Sequence, residues 1–139
     1  MASLIYNAAL EALARGQVDF AEDQFKLLLV GASYSPNRTH AHRSDVSGEV
    51  SGDGYATGGQ TVASMTLVRD DANGRITITP ASVVWPAATI TARGAILYQV
   101  LGTAADDLLV AYVDFGEDKS ASGGPFTVTF TEPLRIAGS

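Results

Sequence analysis

Cysteine is absent from this 139-residue chain. That removes disulfides, thiol catalysis and cysteine-ligated zinc, though it does not fix a compartment. Basic residues are also scarce. Two lysines and seven arginines are scattered along the sequence against fifteen Asp and Glu, for a formal net charge of −6. Nucleic-acid binding needs clustered Lys and Arg to displace counterions from phosphate, and an anionic membrane surface makes the same demand. Neither nucleic acid nor membrane is therefore expected as a partner. No run approaches the ~18 apolar residues of a transmembrane helix. The opening MASLIYNAALEAL has no basic region, and Asn7 and Glu11 interrupt its apolar residues, so it does not read as a secretory signal. Synthesis in a cytoplasm is expected. With one Trp, five Phe and five Tyr there is no stacking platform of the RNA-binding kind.

What is present is a globular composition, 46% hydrophobic with fourteen glycines, in a length that suits one domain spanning 1–139. Residues 3–15 read as a helix. Ser3 is placed to cap it and Gly16 to end it, and Asn7, Glu11 and Arg15 form a polar stripe opposite Leu4, Ile5, Ala8, Ala9, Ala12 and Leu13. A helix this apolar must pack on its own sheet or on a neighbouring subunit.

Phe25–Val30 reads as a strand buried on both faces. Residues 33–59 then form a long loop rich in turn chemistry, of the kind that is usually functional or ordered by a partner. Strand signals recur from there on, in 61–69, 76–79, 82–85, 88–98, 109–115 and 126–131. The segment 88–98 puts Ile90, Ala92, Gly94, Ile96 and Tyr98 on one face. Asp70-Asp71-Ala72-Asn73-Gly74 is a hairpin signal, and Gly102 to Asp107 another turn. Leu109 to Phe115 is predicted to be a central strand that ends at Gly116, before a solvated loop over 117–124. Together these features predict a mainly β protein: an antiparallel β-sandwich, jelly-roll-like, with one short N-terminal α-helix.

Candidate chemistry is thin. Asp114-Phe115-Gly116 matches the magnesium-binding triplet of protein kinases, but no Gly-rich loop precedes it and His42-Arg43-Ser44-Asp45 breaks the catalytic-loop pattern at Ser44. Lys119-Ser120 lacks the glycines of a P-loop. His40 and His42 point the same way in an extended segment and, with Asp45 or Glu49, could share a metal; surface or interface residues are the competing reading. The acidic turns at Asp70-Asp71 and Asp106-Asp107 read as turns rather than calcium loops. No Ser sits in a nucleophile elbow, and both histidines lie in one loop. No catalytic, cofactor-binding or metal residue is assigned, no cofactor is expected, and an enzyme is not.

Several segments taken in order carry a resemblance. They are Leu4-Ile5-Tyr6-Asn7, Phe25-Lys26-Leu27-Leu28-Leu29-Val30, Ser33-Tyr34-Ser35-Pro36, Arg43-Ser44-Asp45-Val46, Glu49-Val50-Ser51-Gly52-Asp53-Gly54-Tyr55 with Thr57-Gly58-Gly59, Thr91-Ala92-Arg93-Gly94-Ala95, and Leu109 to Gly116. From about Leu4 to Ile136 the chain resembles small virion structural proteins of tailed bacteriophages. The resemblance implies a non-enzymatic role as a capsid decoration (cement) protein on the major capsid protein lattice, or as a tail, baseplate or head-fibre component with other virion proteins as neighbours. It also implies a homo-oligomer, with a trimer favoured, located in the virion and made in the host cytoplasm. The loop 33–59 and the apolar helix are then candidate contact elements. A carbohydrate-binding β-sandwich module is the remaining alternative, although Trp85, between Val84 and Pro86, reads as core rather than platform.

Overall fold

The structure, a computed structural model, describes residues 2–137; Met1, Gly138 and Ser139 of the expected 1–139 domain lie outside them. The chain runs β1 (Ala2–Ile5), α1 (Asn7–Ala14), β2 (Phe25–Val30), β3 (Gln60–Thr61), β4 (Met65–Asp70), β5 (Arg75–Pro80), β6 (Val83–Gln99), β7 (Leu108–Val128) and β8 (Leu134–Ala137). A 3-10 turn at Arg43–Asp45 interrupts the long loop.

The strands form two antiparallel sheets, β1-β7-β6-β2-β3 and β4-β5-β8. Ile78 and Leu134 of the smaller sheet share one apolar core with Leu27, Leu97 and Val113 of the larger. This is the expected sandwich with one short helix. Its strands divide five and three, and its spine is the single long hairpin β6–β7.

The helix starts later than the sequence suggests. Ser3 does not cap it. Residues 2–5 instead pair with Asp114 to Ala111 of β7, and Tyr6, in extended backbone, stands at the N-cap without a side-chain cap bond. Leu, Ile and Tyr suit a strand, and a ready ladder on β7 outweighs one more turn of helix. The far end is as expected. Gly16 takes φ +75°, and its amide and that of Gln17 bond to Leu13 and Ala12 carbonyls, closing a Schellman motif. Ala9 and Ala12 are buried against the chain's own sheet.

The spine also differs from its sequence reading. β7 does not end at Gly116, and 117–124 is not a loop. Asp114 pairs with Gly94 and Lys119 with Ala92, so residues 115–118 bulge out opposite Arg93 and the ladder resumes to Val128. Gly116 (φ +83°) makes the bulge possible, with its amide held by the Asp114 carboxylate. The bulge changes strand parity. Ile90 and Ala92 face the main core, whereas Ile96 and Tyr98 face a second one on the opposite side of the sheet. The single face drawn for 88–98 is therefore two faces. Pro86 does not end the strand either: it sits in another irregularity, between Trp85 and Ala88, where no ladder hydrogen bond is forfeited.

Candidate functional site: loop layer and exposed edge

Where β2 flanks the β6–β7 hairpin, both faces of the five-stranded sheet are buried, by different means. One face meets α1 and the small sheet through apolar contact. The other carries Leu28, Val30, Ile96, Tyr98, Leu109 and Tyr112, and it is covered by loop residues including Tyr34 and Val46. The loop 33–59 is thus a third layer ordered by its own chain, where the sequence reading left room for a partner to order it.

Backbone hydrogen bonds fasten it along its length. The Asn7 amide donates to Arg38, Leu109 to Ala41, Arg43 to Asp107, Val50 to Leu29 and Thr89 to Asp53, all at 2.9–3.0 Å. In this way the loop also closes the outer edge of β6 beyond the end of β2. Two glycines permit that close approach. A Cβ on Gly54 (φ +81°) would overlap the Ala87 carbonyl oxygen, and one on Gly59 (φ +78°) the Leu27 carbonyl oxygen.

Side chains complete the fastening. The Tyr6 and Tyr34 hydroxyls lie 2.8 Å apart, and His40 Nδ1 is 2.9 Å from Tyr34. Tyr55 donates to Glu49 (2.6 Å) and accepts from the Leu29 amide (3.0 Å); the Gly58 amide also donates to Glu49 (2.7 Å). Tyr98 donates to the Gly58 carbonyl at 2.5 Å. Burial, first of all, pushes all five tyrosine hydroxyls above their ordinary pKa, Tyr98 to about 12.

Arg43 Nε donates to Asp107 at 2.8 Å, and the guanidinium lies 5.4 Å from the Tyr98 ring centroid. Asp107 is almost fully buried. Burial alone would raise its pKa, but the Leu101 amide, Arg43 and the Gly102 amide together hold it below the ordinary carboxylate value.

The sequence candidates are therefore dispersed. His40 serves Tyr34. His42 and Asp45 cap the 3-10 turn reciprocally, and the Ala41 and His42 amides lower the Asp45 pKa. Glu49 is taken by Tyr55 and Gly58. Among the described residues, no three His, Asp or Glu side chains are grouped to hold a metal. Asp70 accepts from Asn73 and Arg75 within the hairpin turn. Asp106 accepts from Thr103. Asp114 is 3.5 Å from Arg93, and Lys119 pairs with the exposed Glu117. Trp85 is buried against Tyr55 and Phe126, its indole N–H without a partner.

The residues that matter most to the loop are Tyr6, Tyr34, Tyr55, Tyr98, Arg43 and Asp107; the sequence patterns that contain them, an acidic turn, a broken catalytic-loop motif and strand faces, do not point to this anchoring role. The usable signal is five tyrosines, all in apolar or turn-rich segments, where a hydroxyl must find a partner once buried.

Outside these layers, Leu10, Leu67, Val68, Ile76, Val84 and Leu101 are large apolar side chains at least 40% exposed. Leu67 and Ile76 stand on the core-facing side of the β4–β5 hairpin, beyond the point where the larger sheet covers it. An open groove of about 310 Å³ runs between β1 and β8, with Ile5, Leu10 and Ile136 in its walls and Arg38 and Arg135 beside them.

No family model, curated protein or solved structure matches this chain.

Proposed function

We propose that the chain is a non-enzymatic structural protein of a tailed-bacteriophage virion. It is made in the host cytoplasm and binds the major capsid protein lattice as a decoration (cement) protein, in the form of a closed homo-oligomer, a trimer or another. One support is the ordered series of segments that resembles such proteins. The structural observation that carries the reading is how the side chains are used. Tyrosine hydroxyls, the part-buried Arg43–Asp107 pair and Glu49 are committed to the chain's own layers, while apolar residues of α1 and β4–β5 stay exposed. A fold fastened in this way keeps its shape without a cofactor and offers contact area, and lattice symmetry adds modest contacts together.

The test is co-sedimentation of purified protein with expanded capsid shells. Binding that saturates at a fixed ratio to the capsid protein is expected. Protein left in the supernatant at micromolar concentration defeats the capsid assignment. Immuno-gold labelling confined to the tail would replace it with the tail, baseplate or head-fibre alternative. Binding on a glycan array would favour the carbohydrate module.

A further inference from the structure

The four sheet edges are not equally protected. β3 has two residues. β8 has four, follows Pro133 and carries Arg135. β1 has four residues and stops at Ile5, just before the point where the Asn7 amide bonds to Arg38. β4 has six residues, pairs with β5 in unbroken register, and holds no proline, bulge or lysine; its one basic residue, Arg69, is paired with Asp71 of the following turn. Leu67 is 44% and Val68 52% exposed, so both of its faces present apolar surface. Folded proteins normally blunt an edge of this length and flatness.

The hydrogen-bond phase of that edge is readable. The Ala81 amide donates to the Ser64 carbonyl, so Ser64, Thr66, Val68 and Asp70 turn their backbone groups toward β5. Met65, Leu67 and Arg69 then turn theirs outward. Pro80 agrees with this phase, because it stands opposite Met65, where β5 needs no N–H.

We propose that β4 is the contact between two copies of this chain, paired antiparallel about a two-fold axis through Leu67. In this register Leu67 faces Leu67 of the second copy, and Met65 and Arg69 face each other reciprocally. Every outward amide and carbonyl of the strand is then used, in about six hydrogen bonds. Centring on Val68 or Thr66 leaves some of them unpaired. No like charges oppose: Arg69 lies beside Met65, Asp70 beside Ser64, and Val68 beside Thr66. The strand carries one arginine and one aspartate, so it brings no net charge to a contact between two chains of −6. The two small sheets become one six-stranded sheet whose core-facing sides are continuous, burying Leu67. The contact is isologous. It makes an even-numbered assembly, or links closed oligomers across a two-fold, and it does not depend on the virion reading.

The absence of cysteine makes the test clean. Residues opposed in a hydrogen-bonded pair have Cα atoms about 5.5 Å apart, within disulfide range, whereas Val68 is offset from its own copy by more than about 7 Å. Leu67→Cys, Val68→Cys and Leu101→Cys are oxidised separately, each after its circular dichroism spectrum has been matched to that of the unaltered protein. Leu67→Cys is expected to cross-link at least about tenfold faster than either control. Equal rates overturn the proposal, as does faster linking at Val68. Sedimentation of the unaltered protein gives a second reading. Concentration-dependent association that is lost in Leu67→Lys supports the contact, and association unaffected by Leu67→Lys removes it.

Discussion

The loop 33–59 and the β4–β5 hairpin both look, in sequence, like segments awaiting a partner, and they end up opposite in kind. The loop is poor in apolar periodicity yet is tied down by tyrosine hydroxyls, a part-buried ion pair and backbone bonds to the start of α1, to β2, β6 and β7. The hairpin has clean strand periodicity yet leaves its outer edge and three apolar residues, Leu67, Val68 and Ile76, uncovered. Regular secondary structure satisfies its own backbone but not its edge. Irregular backbone must be satisfied by neighbours, and here the chain itself supplies them.

Substitutions that strike the loop should therefore cost far more stability than those that strike the edge. The largest effect is expected for Gly59→Val, which combines a positive φ with a Cβ that cannot fit beside the Leu27 carbonyl. Denaturant unfolding should show a loss of about 4 kcal/mol or failure to fold. Asp107→Ala comes next. It leaves the part-buried Arg43 and two amides without their acceptor, for about 2 kcal/mol. Because the folded pKa of Asp107 is depressed, its contribution is present above the ordinary carboxylate value of 3.8 and is lost as pH falls through the lower folded value. The variant should therefore show a flatter acid limb in a stability–pH profile.

The alkaline side has the opposite sign. The tyrosine pKa values are raised in the folded state, so their contribution is complete below about 10 and declines as pH rises further. Tyrosinate absorbance should rise together with loss of the circular dichroism signal rather than ahead of it. Tyr34→Phe removes a hydroxyl shared with Tyr6 and His40 and should cost about 1–2 kcal/mol. Leu67→Lys, at the exposed edge, should change monomer stability by no more than about 0.5 kcal/mol while abolishing self-association.

Much of this architecture was readable beforehand, for identifiable reasons. Phe126, Val128 and Phe130 alternate with threonines, and Leu27 to Val30 is a short unbroken apolar run; both carry their burial in their pattern. The Asn73-Gly74 turn announces its hairpin. What was lost turns on parity and competition. A four-residue bulge at 115–118 leaves no periodic trace, because it shifts a register that only the partner strand defines. β1 was hidden because Leu4-Ile5-Tyr6 fits a helix face as well as a strand, and the deciding ladder lies a hundred residues away. The loop anchors were least visible: a tyrosine's importance here depends on which hydroxyl, carboxylate or carbonyl the fold brings to it.

Hydrogen exchange on the free protein, resolved by residue, tests the central contrast most directly. Amides of Leu29, Val50, Gly58, Thr89 and Leu109, held by or in the loop, should exchange as slowly as those of the β6–β7 spine. The outward amides of Met65, Leu67 and Arg69 should exchange quickly in dilute monomer and slow as concentration rises. A loop that exchanges within seconds in the free protein would contradict the account, because it would mean that the layer over the second core is supplied by a partner and not by the chain itself.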